Sequence, residues 1–520
     1  MRTLILALFT LTLLTIAPAV SQDKKDARAW AEALAYYQRC SASRDPLERR
    51  QCADLLGEAT SEKHDKMCWQ LVSALLRQEL AKEGPNGRTE EKISGEVLEA
   101  CLRAFRKITQ KDVLEDMLKV ARIKQENPRI RAYALWGIFD KGDLKEVTDL
   151  VEDKSPIVQI AAMDCLAERA DASTTPLFLR VLSENRTWEV KWIALKGLEK
   201  GGDEKCIEPL IENLGRCRAD EGRLKDQYIR ILKKLLDVEL ETDDPNAWKS
   251  AWTAKKAGTE MAPGTTMVDP TQFYGLKTRS TRLVFLLDRT GSMAEVGSEP
   301  ERTPYKLPPD AVGNEKEPPQ ERASRDECTR ILKKWNATPA RTRIEVAKKE
   351  IINTLYVLRP IVHFNVIWYE STPTPWRQEL VPATWINKLD AIQTADKIAA
   401  SGGTNIWDAV ELGFKMLEAA QTKSAVNPIT LDRKANYATS TNGVDTMFLM
   451  TDGKPNTGRI NTTDDILAEL KKVNRLRKVT VHTICVGDVP PGGATLDSVD
   501  PVFLKKIADL SSGEFVHIKK

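Results

Sequence analysis

The sequence predicts a multidomain chain with an all-helical N-terminal half and a doubly wound α/β C-terminal half. Between residues 27 and 240, apolar residues recur at helical spacing in blocks that repeat along the chain. From Arg282 onward, short continuous apolar runs alternate with longer helical stretches. Continuous apolar runs separated by amphipathic helices are typical of a mostly parallel sheet that is covered on both faces.

The length and the composition are consistent with this division. A chain of 520 residues is too long for one hydrophobic core and is expected to form more than one domain. Charged residues make up 29% and hydrophobic residues 42% of the chain, and the formal net charge is only +3. These are ordinary values for a globular protein, so they give no support to nucleic-acid binding.

Residues 1–21 have the pattern of a signal peptide. Arg2 is followed by an apolar run over residues 4–16 and by the small-residue segment Ala19-Val20-Ser21. The sequence therefore predicts export to a periplasmic or extracellular location. A retained membrane anchor is the alternative, but the run is shorter than the ~20 residues that span a bilayer. No integral membrane segment is expected after signal cleavage.

The helical half contains an internal repeat. Segments that start at Arg129, Ile157 and Glu189 align without gaps, and each combines a helical stretch, a break and a second helical stretch. One such hairpin cannot bury both of its apolar faces, so neighbouring copies are expected to stack into a solenoid over residues 27–240. The blocks resemble HEAT-like repeats, which implies either a surface for a partner or a structural spacer. The turn-rich segment 241–281 is predicted as a linker, pinned to one domain by Trp248 and Trp252.

Nine cysteines are an odd number for an exported chain, so at least one is expected to remain free or to pair between chains. No CxxC pair indicates a zinc site. Cys165 and Cys485 lie in apolar runs and are predicted to be buried. The disulfide candidates, with connectivity left open, are Cys40, Cys52, Cys68 and Cys101.

The C-terminal half alternates five predicted strands with five predicted helices. The strand-like runs are RLVFLLD, IVHFNVIWYE, DTMFLMTD, KVTVHTICVG and EFVHI. The helical stretches between them are RIEVAKKEIINTLYVL, WINKLDAIQTADKIAA, NIWDAVELGFKMLEAAQ, ILAELKKVNRLRK and PVFLKKIADLSS. This order predicts a doubly wound α/β domain over residues 282–520.

Hydroxyls and carboxylates stand at the ends of these strands and at one helix start. Asp288, Thr290 and Ser292 follow the first strand, Thr404 opens a helix in SGGTNIWDAV, and Asp452 follows a later strand in FLMTDGKPN. An open α/β sheet collects its ligands at such positions. The five residues are therefore predicted to form a metal site.

The order of these three motifs resembles a von Willebrand factor A-type (vWA) domain across nearly the whole C-terminal half. The resemblance implies a Rossmann-like fold with a metal-ion-dependent adhesion site (MIDAS) at the same five positions. It further implies Mg²⁺, with Mn²⁺ as a possible substitute, and an open coordination position that accepts a carboxylate from a protein partner. Thr290 stands where the family more often has Ser, so an altered metal affinity is expected.

These features predict an exported interaction protein, for adhesion or scaffolding, of bacterial type and not an enzyme. The sequence has no nucleophile elbow, P-loop or HExxH motif. A scaffold with a vestigial or purely structural metal site and a metal-dependent hydrolase are the alternatives.

An insertion at about residues 294–340 follows the first metal-site motif. It is rich in proline and acidic residues and contains a short helix-like stretch, ASRDECTRILKKW. We hypothesise that it shapes access to the metal, with Glu295 or Glu299 as an internal ligand. The alternative is a surface loop without a role.

Overall fold

The computed structural model describes residues 25–82, 93–141, 144–259, 270–299, 307, 317–417, 443–487 and 500–519. The predicted signal peptide lies outside these ranges. The chain divides into two compact units, the first ending at Arg169 and the second beginning at Ala170. Within the described ranges, no helix combines the length and the apolar character needed to cross a membrane.

All the regular elements that the structure describes in the first unit are helices. Local sequence sets several helix starts: Asp45 accepts a hydrogen bond from the Leu47 amide, and Asn127 accepts one from the Arg129 amide, each just before a proline at the first helical position. Residues 25–40 are helical. The further elements are α1 (Pro46–Ala59), α2 (Asp65–Ala81), α3 (Gly95–Lys107), α4 (Lys111–Arg122), α5 (Pro128–Gly137), α6 (Leu144–Thr148), a 3₁₀ turn (Asp149–Glu152) and α7 (Pro156–Glu168).

The prediction of disulfides in this unit is wrong, because all nine cysteines are free thiols. Cys52, Cys68 and Cys101 lie on three different helices and are fully buried as small apolar side chains. Burial raises the pKa of Cys52 and of Cys68 to about 12, so these thiols are unreactive at neutral pH. The predicted burial of Cys165 and Cys485 is confirmed.

The second unit begins with a further set of helices. The repeat blocks predicted at Ile157 and Glu189 coincide with the starts of α7 and α9. The elements of this helical segment are α8 (Thr175–Ser183), α9 (Trp188–Gly201), a 3₁₀ turn (Glu204–Cys206), α10 (Ile207–Arg216), α11 (Gly222–Leu236) and α12 (Pro245–Ala257).

Helix α12 occupies much of the segment that was predicted as a linker. Trp248 is fully buried and its indole Nε1 donates to the carbonyl oxygen of Thr242 at 2.8 Å. Trp252 donates to the Glu208 carboxylate on α10 at 2.9 Å. Trp252 therefore attaches the segment to α10, whereas the Trp248 hydrogen bond stays within the segment. The turn-rich composition obscured the helix that carries both tryptophans.

The α/β domain is built on a mixed sheet of seven strands in the described residues, in the order β5-β4-β3-β7-β8-β9, with β6 also paired to β4. Strands β4, β3, β7, β8 and β9 are parallel, and all seven residues of the central strand β3 are buried. The strands are β3 (Arg282–Asp288), β4 (His363–Tyr369), β5 (Thr374–Pro375), β6 (Val381–Pro382), β7 (Thr446–Thr451), β8 (Thr480–Val486) and β9 (Phe515–Ile518). The five predicted strands are thus confirmed.

Helices of this domain follow the predicted alternation. The insertion contains a helix of 19 residues, longer than the stretch that the sequence indicated. The helices are α13 (Pro319–Ala337), α14 (Arg343–Val357), α15 (Trp385–Lys397), α16 (Ile406–Phe414), α17 (Thr463–Arg477) and α18 (Pro501–Leu510).

A short hairpin connects the helical segment to the sheet. Strands β1 (Thr271–Phe273) and β2 (Leu276–Thr278) pair antiparallel around Tyr274 and Gly275, which both have positive φ, as a two-residue hairpin turn requires. Asp226 on α11 accepts hydrogen bonds from the Thr278 hydroxyl and the Arg279 amide, both at 2.8 Å. Within the second unit, α11 is therefore tied to the strand that leads into β3.

Candidate metal centre

Three loops meet at the carboxyl ends of the parallel strands. The chain after β3 continues to β4 on one side, whereas β7 pairs on the other side of β3, so the strand order reverses here. Such a switch point opens a crevice for ligands. The Gly291 amide donates to the carbonyl of Gly402 at 3.1 Å, and the Ser401 amide donates to the carbonyl of Arg289 at 2.7 Å. These bonds join the first and second loops.

Asp288 is the last residue of β3 and is completely buried. One of its carboxylate oxygens accepts from the Thr290 amide at 2.7 Å, and the other accepts from the Thr451 hydroxyl at 2.5 Å. Asp288 therefore fixes the turn that presents Thr290. Thr451 was missed by sequence reasoning, although it directly precedes Asp452 in the third motif.

The hydroxyls of Thr290 and Ser292 and the carboxylate of Asp452 form a continuous chain of polar atoms. The two hydroxyl oxygens are 3.1 Å apart, and the Ser292 hydroxyl donates to Asp452 Oδ1 at 2.7 Å. Thr290 and Asp452 are almost fully buried, and Ser292 is partly exposed in the 3₁₀ turn Gly291–Ala294. Four of the five predicted residues are thus linked directly or through one backbone amide.

Thr404 reaches the same site through backbone contacts. Its amide donates to the Asn456 side chain at 2.7 Å, and its carbonyl accepts from the Asn456 amide at 3.0 Å. A methyl group added to Gly453 would lie 3.5 Å from the Thr404 hydroxyl, so this hydroxyl stands against the loop that follows Asp452. Asn456 was also missed from the sequence, where it is one polar residue among several.

The electrostatics of the site favour a cation. Burial and, to a smaller extent, the neighbouring charge of Asp452 raise the pKa of Asp288 to about 7. Burial likewise raises the pKa of Asp452. Two carboxylates held together away from water repel each other, and a divalent cation beside them would remove that repulsion. A donor set of hydroxyl and carboxylate oxygens fits a hard cation such as Mg²⁺ or Mn²⁺.

Arg343 is the principal residue that sequence reasoning missed. Its Nη1 donates to Asp452 Oδ2 at 2.9 Å, and its Nη2 lies 2.9 Å from the Glu295 carboxylate. The guanidinium is nearly buried and supplies a positive charge to the site. Arg343 is the first residue of α14, directly after the capping residue Thr342, and nothing in that local pattern points to Asp452.

The insertion leaves and returns beside this arginine. The Gly297 amide donates to the Arg341 carbonyl at 3.0 Å, and the Arg343 amide donates to the Glu295 carbonyl at 2.9 Å. These bonds clamp the two ends together. Residues 300–306 and 308–316 of the insertion lie outside the described ranges.

The structure pairs Glu295 and Glu299, the two hypothesised internal metal ligands, with basic side chains of α14. Glu295 pairs with Arg343, and Glu299 accepts from Lys349 Nζ at 2.8 and 2.9 Å. Glu299 also accepts from the Ala340 amide at 2.5 Å. Each carboxylate thus pairs with a basic side chain of α14, and these contacts hold the two ends of the insertion together.

Comparisons with known proteins give partial matches along the chain. A family model for HEAT repeats matches residues 144–225, which span α6 to the start of α11 and support the predicted repeat type. The inter alpha-trypsin inhibitor heavy chain 4 of Mus musculus is 30% identical over 121 residues, which cover 23% of this chain. The match spans only 12% of that protein, about an eighth of its length.

Similar solved structures include vWA-type proteins. A von Willebrand factor type A protein from Catenulispora acidiphila has 15% identity and a TM-score of 0.26, covering 46% of this chain and 39% of its own. Proximal thread matrix protein 1 from the mussel byssus, with a zinc-occupied MIDAS motif, has 14% identity and a TM-score of 0.21, covering 52% and 48%. At this level of similarity, the roles of individual residues in these proteins are not transferred to this chain.

Proposed function

We propose that this protein is an exported interaction protein whose C-terminal domain binds a divalent cation and, through it, an acidic group of a protein partner. Thr290, Ser292 and Thr404 would supply neutral hydroxyl ligands, and Asp288 and Asp452 would orient them and balance the charge. The HEAT-like helices would form a solenoid that offers a second surface or a scaffold. Mg²⁺ is the preferred ion and Mn²⁺ the substitute.

The observation that supports this proposal most is the chain of polar atoms from Thr290 through Ser292 to Asp452, with separations of 3.1 and 2.7 Å. A bound ion would supply a positive centre that attracts a carboxylate. Because hydroxyl ligands are neutral, they leave more of its charge uncompensated than carboxylate ligands would. Ser292 is partly exposed, so the site is reachable from solvent.

Two other functions are separable from this one. In a scaffold with a structural ion, removal of the ion would unfold the domain instead of only abolishing binding. A metal-dependent hydrolase would need catalytic carboxylates or histidines around the ion. Among the described residues, no group of three or more His, Cys, Asp or Glu side chains could hold a metal.

Calorimetric titration of the purified chain with Mg²⁺ and with Mn²⁺ tests the cation site. We expect one saturable site in the wild type and at least a hundredfold weaker binding in Asp452→Asn, because the substitution removes the balancing charge. Asp509→Asn is the matched control, since Asp509 is an exposed carboxylate paired with Lys505. Equal affinities in all three proteins would exclude the site.

A pull-down from the native envelope fraction tests the partner. Wild-type protein with Mg²⁺ should recover a protein that is lost on chelation and in Asp452→Ala. Recovery of the same proteins under all three conditions would refute metal-dependent adhesion. A thermal scan with and without Mg²⁺ distinguishes a structural ion, which would produce a large loss of melting temperature on chelation.

A further inference from the structure

A polar cavity lies at the amino ends of the strands, at the opposite end of the sheet from the candidate metal centre. It has a volume of about 580 Å³ and is lined, within the second unit, by the helical segment and by the amino ends of β3 and β7. Its inner lining includes Trp188, Arg223, Arg282 and Asp445. None of the metal-site residues lines it.

Arg223 is the central side chain of this cavity. The residue is only 6% exposed, yet none of its three guanidinium nitrogens has a hydrogen-bond partner in the described structure. Its guanidinium carbon lies 4.4 Å from the ring centre of Trp188 and 5.0 Å from that of Trp192. The indoles stabilise the cation without using its N–H groups. An Arg with its donors unused and buried requires an acceptor.

The neighbouring acids do not supply that acceptor. Asp445 lies 3.5 Å from Arg282, with which it shares the amino end of the sheet. The charges of Asp445 and of the fully buried Glu189 act on Arg223, but neither carboxylate forms a hydrogen bond with it in the described structure. Burial lowers the pKa of Arg223 to about 9, so it remains mainly protonated at neutral pH. Arg223 is therefore a protonated, buried side chain whose N–H donors are all unused in the described structure.

The charged side chains nearer the mouth of the cavity pair with one another. Arg186 pairs with Glu184 at 2.7 Å, and Arg218 lies 3.3 Å from Asp220, so the charges at the mouth largely neutralise one another. The cationic lining residues are Arg186, Lys191, Arg216, Arg218, Arg223 and Arg282, and the anionic ones are Glu184, Asp220, Glu221 and Asp445. The lining thus holds six cationic and four anionic side chains, and Arg223 is a buried cation among them whose guanidinium nitrogens have no hydrogen-bond partner in the described structure.

Two helix N-termini reinforce this positive potential. α9 begins at Trp188 and α11 begins at Gly222, and residues of both first turns line the cavity. The amide groups of a helix N-terminus and the helix dipole both favour an anion. The sequence close to Gly222 is constrained as well, since a Cβ there would lie 1.6 Å from the Arg279 carbonyl oxygen.

We propose that this cavity is an oxyanion-binding site in which a carboxylate or phosphate group of a small ligand accepts hydrogen bonds from the edge of Arg223. Guanidinium groups recognise both kinds of oxyanion in a bidentate manner. Because the two indoles contact the guanidinium without accepting from it, its N–H donors stay available to a pair of acceptor oxygens. This site is independent of the proposed cation site, because it uses other residues at the other end of the strands.

Calorimetric titration of the full chain with inorganic phosphate and with succinate, at an ionic strength held constant with NaCl, tests the proposal. We expect saturable one-site binding of at least one of the two anions. Arg223→Lys should weaken it about tenfold because it keeps the charge but loses the fork, and Arg223→Met should weaken it at least fiftyfold. Arg330→Met, at an exposed arginine paired with Glu327, should bind as the wild type does.

The pattern across the two anions identifies the ligand chemistry. Binding of phosphate alone would assign a phosphate ligand, and binding of succinate alone would assign a carboxylate. The proposal is overturned if neither anion binds above the NaCl background, or if the folded Arg223→Lys protein binds with the wild-type affinity. If Arg223→Met does not fold, Arg223→Lys still decides the question.

Discussion

The two ends of the same pair of strands carry opposite chemistry. Strand β3 begins at Arg282 and ends at Asp288, and β7 is preceded by Asp445 and followed by Asp452. At the carboxyl ends, hydroxyls and carboxylates gather with one arginine. At the amino ends, the buried Arg223 keeps unused N–H donors beside a cavity. One sheet thus carries the proposed cation site at one end and the proposed anion site at the other.

This difference teaches how each site is encoded. Every residue of the cation site lies within a few positions of a strand end or a helix start, so the sheet itself assembles it. The anion site depends on Arg223 and Trp188, which belong to helices far from β3 in sequence. The first site is therefore visible as motifs, whereas the second becomes visible only when the helical segment is seen against the sheet.

The largest expected effect concerns the attachment of α11 at the amino ends. Asp226→Ala removes the acceptor of the Thr278 hydroxyl and of the Arg279 amide and leaves the buried Arg279 guanidinium with one partner fewer. We expect a loss of about 3 kcal/mol in the free energy of unfolding, measured by urea denaturation. Asp220→Ala, at an exposed carboxylate paired with Arg218, should change it by less than about 0.5 kcal/mol. Similar losses in the two variants would show that α11 is not attached through Asp226.

The next effect is a pH dependence set by His482 on β8. Burial and the nearby charges of Arg230 and Arg223 lower its pKa to about 3, and its Nδ1 accepts from the Glu514 amide at 3.1 Å. The unfolded chain takes up a proton below pH 6.5, whereas the folded chain does not, so stability falls as the pH falls. Between pH 6.5 and 5 this residue should cost about 1.5 kcal/mol.

Denaturation of the wild type and of His482→Leu at both pH values measures this contribution. The substitution adds a constant penalty for the unpaired Glu514 amide, but it should remove the pH-dependent part. An identical pH dependence in the two proteins would show that His482 is not the group that titrates.

Arg343 gives a third test, this time at the carboxyl ends. Its guanidinium contacts Asp452 at 2.9 Å and competes with a cation for that carboxylate. Arg343→Met should therefore raise the Mg²⁺ affinity about tenfold, an effect of about 1.4 kcal/mol, in a calorimetric titration. Arg341→Met is the control. Arg341 also lies just before α14, but it bonds to the insertion through its backbone carbonyl rather than its side chain. A weaker affinity in Arg343→Met would mean that the arginine supports the ion.

Much of the α/β fold could be predicted, because the local sequence determines most of its strands and helix starts. The apolar run RLVFLLD is the complete strand β3, and the predicted starts of α14, α15 and α18 are the observed ones. Burial on both faces makes such strands continuously apolar, so they stand out from the amphipathic helices. Helix α12 was missed because Pro245, Asn246 and its lysines lower the contrast between its faces.

The five residues of the candidate metal centre could be predicted for the same reason, but the arginine that contacts one of them could not. Asp288, Thr290, Ser292, Thr404 and Asp452 are read from three short motifs. Arg343 comes from beyond the insertion and meets Asp452 only through the folding of α14 against β3 and β7. The partners of such a long-range ion pair have no characteristic spacing in the sequence. The surroundings of Arg223 could not be predicted for the same reason.

The smallest expected effect concerns Thr290, which stands where the resembled family more often has Ser. Thr290→Ser removes one buried methyl group and keeps the hydroxyl, which lies 3.1 Å from the Ser292 hydroxyl. The Mg²⁺ affinity should change by no more than about threefold, or roughly 0.6 kcal/mol, in the same titration. A change as large as that in Asp452→Asn would mean that the methyl group, and not the hydroxyl, determines the geometry of the site.

The most direct test of the cation site is anomalous diffraction from crystals grown with Mn²⁺. The account predicts one manganese peak beside the hydroxyl oxygens of Thr290, Ser292 and Thr404, at the distance of about 2.2 Å that is normal for such ligands. A peak elsewhere on the chain, or none at saturating Mn²⁺ with Arg343 still bonded to Asp452, would contradict it.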